Sequence, residues 1–224
     1  MARYAADLGV PVLLHHGFLI DFNSLWHRSG VVQQLAADGL EVVLIVEHFL
    51  REAGDAHALG HGTVLLLAEA LADVIDELQR PLVDIVAAGT GVAPALIAAA
   101  NDDRIRRLVL ADPADVEFGP GRGPLVLDET AGPTLAELDL GAPCIHHRVP
   151  PLAPVPGLRL TPESVAAQTL ILSAGRHRPA TMSLANRLPK VAVMYLEDDD
   201  VPATTDPRFA GYVSGFLRAP DLSC

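Results

Sequence analysis

Residues 83–100, VDIVAAGTGVAPALIAAA, constrain the fold more than any other stretch of the chain. The run approaches the length needed to cross a bilayer, but Asp84, Gly89, Gly91 and Pro94 interrupt it. A short apolar run rich in β-branched residues (Val83, Ile85, Val86), a Gly-Thr-Gly corner and an alanine-rich tail read as buried strand, tight turn and helix. Pro94 falls within about the first turn of that helix, where its missing N–H matters least.

The same alternation runs through the rest of the sequence. VPVLLHHG (Val10 to Gly17) is an apolar strand, and SLWHRSGVVQQLAADG a helix stopped at Gly39. EVVLIVEH (Glu41 to His48) is the next strand, and Gly62 to Gln79 a helix with its acidic residues on one face. Arg104 to Pro113, Ala167 to Gly175 and Lys190 to Asp200 are further strands, and FAGYVSGFLRA is a closing helix. Fully apolar strands between helices predict an α/β fold, a doubly wound and mostly parallel sheet covered on both faces. With 224 residues, half of them apolar, the chain is expected to form one domain, residues 1–224. The segment Ala114 to Ser164 breaks the rhythm with GPGRGPL and VPPLAPVPG, and is expected to be a lid or binding insertion.

Composition excludes several partners. A net charge of −12 leaves no basic footprint, so neither nucleic acid nor an anionic membrane surface is expected to bind. Cys144 and Cys224 make no disulfide framework, and the start of the chain lacks the pattern of a signal peptide, so a cytoplasmic protein is expected. His146 and His147 lie near Cys144 but lack a full coordination set; no metal and no cofactor are expected. The expected partner is a small-molecule substrate or ligand, with a homodimer as an open option.

The order of these elements and three local signals resemble the α/β-hydrolase fold family. PVLLHHGF is similar to the family's strand ending in His-Gly, VDIVAAGTGVA to its strand, nucleophile elbow and helix, and RIRRLVLADPA to the strand before its lid insertion. TLILSAGRHRP and VMYLEDDDVPATTDPRFAGYVSGFL resemble the two strands whose ends carry the catalytic acid and histidine. The likeness spans nearly the whole chain, with the usual first strand absent or shortened.

The resemblance implies a Ser-His-Asp triad that this sequence does not supply. In the G-x-S-x-G elbow, Ala87 and Gly91 take the small positions and Gly89 stands where serine is expected. A register shifted by one residue puts Ala88 there instead, equally inert; the nearby hydroxyl, Thr90, would put Val92 where glycine is needed. Glycine suits the strained corner, so the turn can outlast its chemistry. Arg178 aligns with the acid and Asp200 with the histidine. Without nucleophile, base and orienting acid, covalent acyl transfer has no route.

What remains points to ligand handling. The resemblance makes the backbone N–H groups of Phe18 and Thr90 the oxyanion donors, with the dipole of the helix after Gly89 behind them. His15, His16, His48, Asp112, Arg178 and Asp200 are the ionisable groups expected at the carboxyl edge of the sheet. Each also has a structural reading: His16 as part of His-Gly, one of His15 and His16 as a buried hydrogen-bonded residue, His48 as a strand end, Asp112 as a turn cap, Glu197 to Asp200 as a solvated loop balanced by Arg176, His177 and Arg178. The catalytic candidates are Asp200, Arg178, Asp112 and His16; Phe18, Gly89, Thr90 and His48 are the substrate-binding candidates. Three functions follow: a cyclase, lyase or isomerase folding a small, largely apolar molecule, in the manner of secondary metabolism; a pseudoenzyme that binds a ligand or stabilises a partner; and a residual hydrolase using Thr90 or water.

Overall fold

The computed structural model of the chain describes residues 2–4, 9–16, 23–45, 61–113, 162–196 and 201–220. Its strands are β1 (Ala2–Tyr4), β2 (Val12–His15), β3 (Val42–Leu44), β4 (Val83–Ala88), β5 (Ile105–Ala111), β6 (Gln168–Ser173) and β7 (Val191–Tyr195). Its helices are α1 (Val31–Ala37), α2 (His61–Leu78), α3 (Val92–Asn101), α4 (Arg178–Ala185) and α5 (Phe209–Arg218). The strands form one sheet in the order β1-β3-β2-β4-β5-β6-β7. All neighbours are parallel except β1, which pairs antiparallel with β3.

Side-chain alternation on the strands builds two cores. Leu13, Ile85, Ala87, Leu108, Leu110 and Ile171 face a layer made by α2, α3 and α4. Val12, Leu14, Val86, Val109 and Leu172 face the other way, onto Trp26, α1 and α5. The central strands β2, β4, β5 and β6 are therefore buried on both sides, which explains the unbroken apolar runs read from the sequence, whereas the edge strand β7 is only partly buried.

One expectation needed revision. The helix expected over residues 24–39 is split: a wide single turn at Asn23–His27 precedes α1, and Gly30 between them has φ +75°. That left-handed conformation cannot continue a right-handed helix. The first strand, expected to be absent or shortened, is the short three-residue β1, antiparallel to β3. The expected insertion over 114–164 lies outside the described residues up to 161, and its last part, Pro162–Ser164, is a 3-10 turn packed on α3.

At the amino edge of the sheet, β4 and β5 shift register between Val83 and Asp84, leaving Arg106 as an extra residue. Such a bulge re-aims side chains, and here adjacent arginines reach the end of α5. Arg107, fully buried, donates to the carbonyls of Phe216 (3.0 Å), Leu217 (2.5 Å) and Ala219. These acceptors lie at a helix C-terminus, where Phe216 O also accepts the Ala219 N–H at 3.3 Å, and the cation meets the negative end of the helix dipole. Arg106 grips the buried Asp84 carboxylate through two bonds, at 3.0 and 2.6 Å. Burial pushes the Asp84 carboxyl above its usual range, although Arg106 pulls the other way.

Candidate functional site

The chain leaves β2 toward one side to make β3, then crosses back to make β4 on the other side of β2. The carboxyl ends of β2 and β4 thus flank a topological switch point, the place where open α/β sheets hold ligands. His15 lies level with Ala87 across this boundary. Just beyond, β4 runs into a 3-10 turn, Gly89–Gly91, that feeds α3 directly.

The corner has the geometry that its sequence implied. Gly89 has φ +52°, a conformation that costs a residue with a Cβ but not glycine. Ala88 before it is extended and Gly91 after it is already helical, so the whole reversal falls on Gly89 and Thr90. Thr90 Oγ1 donates to the backbone carbonyl of His16 at 3.4 Å. This contact places the Gly-Thr-Gly corner against the end of β2 that carries the His-His-Gly sequence. Pro94 is the third residue of α3, as expected.

Both histidines of the pair are buried, where one was expected to be. By strand alternation His15 shares the side of Leu13, which faces the α2, α3 and α4 layer; His16 lies just beyond the strand and is also buried. Burial, then the neighbouring charge of His16, lowers the His15 pKa to about 3, so the ring stays neutral at physiological pH.

Asp112 ends β5 with φ +48°, an uncommon conformation for a residue with a Cβ and more so before proline. Its side chain explains the tolerance. One carboxylate oxygen accepts from Ala174 N at 2.7 Å, the other from Ala203 N at 2.5 Å. Asp112 thereby joins the ends of β5 and β6 to the turn that follows β7. Both oxygens are held by backbone amides distant in sequence, so among the described residues this carboxylate bridges elements rather than capping its own turn.

Arg178 is the first residue of α4, and its guanidinium lies 4.3 Å from the centre of the Tyr195 ring on β7. β7 stands three strands away from β4, so this stacking draws Arg178 away from the Gly89 corner. Nothing in the spacing of residues 178 and 195 marked that contact beforehand. Phe18, His48 and Asp200 lie outside the described residues, as do Cys144, His146 and His147. Among the described residues, no three His, Cys, Asp or Glu side chains gather as a metal set, and no helix is long and apolar enough to cross a membrane. The site drawn together by the described residues is therefore His16, Gly89 and Thr90, with Asp112 bracing the same edge of the sheet.

No protein-family profile matches the sequence, and no curated protein is significantly similar to it. Solved structures do match. MenH from S. aureus superposes with a TM-score of 0.62 at 16% identity, over 97% of this chain and 97% of that one. Dienelactone hydrolase from Anabaena variabilis gives 0.59 at 17% identity, over 95% and 85% of the two chains. Est1E from Butyrivibrio proteoclasticus, solved with ferulic acid bound, gives 0.62 at 15% identity, over 93% and 88%. Strand order, the antiparallel first strand, helices on both faces and these similarities together establish that the chain has the α/β-hydrolase fold.

Proposed function

We propose that this protein is a non-hydrolytic enzyme, a cyclase, lyase or isomerase, acting on a small, largely apolar molecule at the crevice between β2 and β4. The observation that carries the reading is Gly89: it keeps positive φ at the strand–helix corner while presenting no side chain. The Thr90 N–H and the start of α3 are the proposed donors at this corner, with the Phe18 N–H the proposed second donor. Such donors stabilise charge developing on a carbonyl or enolate oxygen without forming a bond to the substrate. The proton is moved by an ionisable group at the same edge, with Asp200 and His16 the proposed candidates. Asp112 braces the same edge of the sheet, and His48 is the proposed flanking group. Shape and proximity supply the rest of the acceleration.

Titration with small aromatic carboxylates, followed by backbone amide NMR, tests the site. A saturable shift centred on Thr90 is the expected result; shifts confined to other surfaces would remove the corner from the account. The catalytically dead reading, a ligand-binding or partner-stabilising protein, gains ground if compounds bind at Thr90 and none is converted. A residual hydrolase, favoured by the hydrolases and esterases among the similar structures, requires Thr90 or an activated water. Its signature is ester turnover lost in Thr90→Val.

A further inference from the structure

The single tryptophan of the chain, Trp26, is fully buried, yet among the described residues no acceptor reaches its indole N–H. A buried donor without a partner carries its desolvation cost uncompensated, and native structures keep few of them. The backbone around it is well held. Trp26 lies in the wide turn Asn23–His27, which follows the carboxyl end of β2 and leads into α1. Ser29 Oγ donates to the Trp26 carbonyl at 3.1 Å and Gly30 N to the His27 carbonyl at 3.1 Å, so the turn is pinned at its exit. It packs against the 3-10 turn Ala203–Thr205, which leads in the same way from β7 toward α5 and whose Ala203 N–H is held by Asp112. Both turns follow the carboxyl ends of parallel strands, so they meet at the edge where open α/β sheets bind ligands, on the face covered by α1 and α5.

We propose that the Trp26 indole N–H is a binding donor of the site proposed above, taking the carbonyl oxygen of an uncharged substrate; the inference rests on that reading and names its substrate class. A substrate that brings an acceptor removes the cost borne by the unpartnered N–H, whereas an analogue without one leaves that cost in place. This difference is a source of specificity. The surroundings favour a neutral acceptor. Leu14, Val31, Leu35, Ala203 and Phe209 share one apolar cluster with Trp26 and offer an anion no counter-charge, while Asp112 sets a carboxylate at the same edge. Stripping water from a substrate carboxylate there costs more than one neutral N–H returns. The carbonyl of a ketone, aldehyde or lactone accepts the bond without that penalty. Because the turn is pinned before any substrate arrives, little ordering is left to be done on binding.

Titration of the nitrogen-15-labelled full chain with acetophenone, and in parallel with ethylbenzene, which lacks the carbonyl, tests the inference by NMR. One tryptophan gives one indole cross-peak, so the signal has a single source. With up to about 1 mM probe, where weak binding registers, acetophenone is expected to move that peak saturably downfield and ethylbenzene is not. Trp26→Phe keeps an aromatic ring without the donor, and is expected to weaken acetophenone binding roughly tenfold relative to ethylbenzene. Should that variant not fold, the comparison of the two probes on the wild-type chain decides alone. An indole peak that ignores acetophenone, or that moves equally with both probes, overturns the inference. The Thr90 amide separates the two readings: a shift there beside a silent indole peak removes only the Trp26 assignment, and silence at both removes the proposed site as well.

Discussion

Gly89, His15 and Asp112 each hold a state that most residues avoid, and each sits at the carboxyl edge of the sheet. Gly89 and Asp112 have positive φ, one without a side chain and one with both carboxylate oxygens tied to backbone amides. Local strain of this kind persists where the surroundings over-determine it. His15 is different, being held neutral by burial. Its folded pKa of about 3 lies below the ordinary 6.5, so the unfolded chain binds the extra proton first. Stability from this residue is complete above pH 6.5 and is lost as pH falls toward 3, with a slope approaching about 1.4 kcal/mol per pH unit. Urea denaturation across that window is expected to show the slope in the wild type and a shallower one in His15→Leu. Equal slopes would mean that His15 does not carry the acid sensitivity.

At the scale of elements, Arg107 is the clearest case of a charge serving the fold. Arg107→Met removes the short guanidinium bonds from the carbonyls of Phe216, Leu217 and Ala219, leaving among the described residues only the Ala219 N–H on Phe216 O and Arg106 on Leu217 O, both at 3.3 Å. We expect a loss of about 2–4 kcal/mol in urea denaturation, because buried polar groups stripped of partners retain their desolvation penalty; a loss below about 0.5 kcal/mol would contradict the capping role. The arginine pair was visible in the sequence only as two charges in an apolar strand, since the bulge that aims both at α5 depends on register with β4. By contrast, the segment from Val83 to Ala100 was legible almost to the residue. Its β-branched run, glycine corner and alanine-rich tail each specify one local state, and no distant contact is needed to choose between them. The break at Gly30 was hidden because apolar residues on both sides keep a helical spacing while the glycine alone turns left-handed. The Arg178–Tyr195 stack was equally hidden, being set by how α4 lies across β7.

For the whole molecule, the strand order explains why the site is where it is. The strand order reverses between β2 and β4, and at their carboxyl ends the sequence supplies a corner whose backbone is that of an elbow without the side chain. The central claim is that this corner acts on a ligand through its backbone and not through a covalent nucleophile. Exposure of the full chain to a fluorophosphonate probe, read by intact mass and peptide mapping, tests it most directly. The account predicts no adduct in the peptide spanning Val83 to Ala100; an adduct on Thr90 would contradict it and make the protein a hydrolase with a displaced nucleophile.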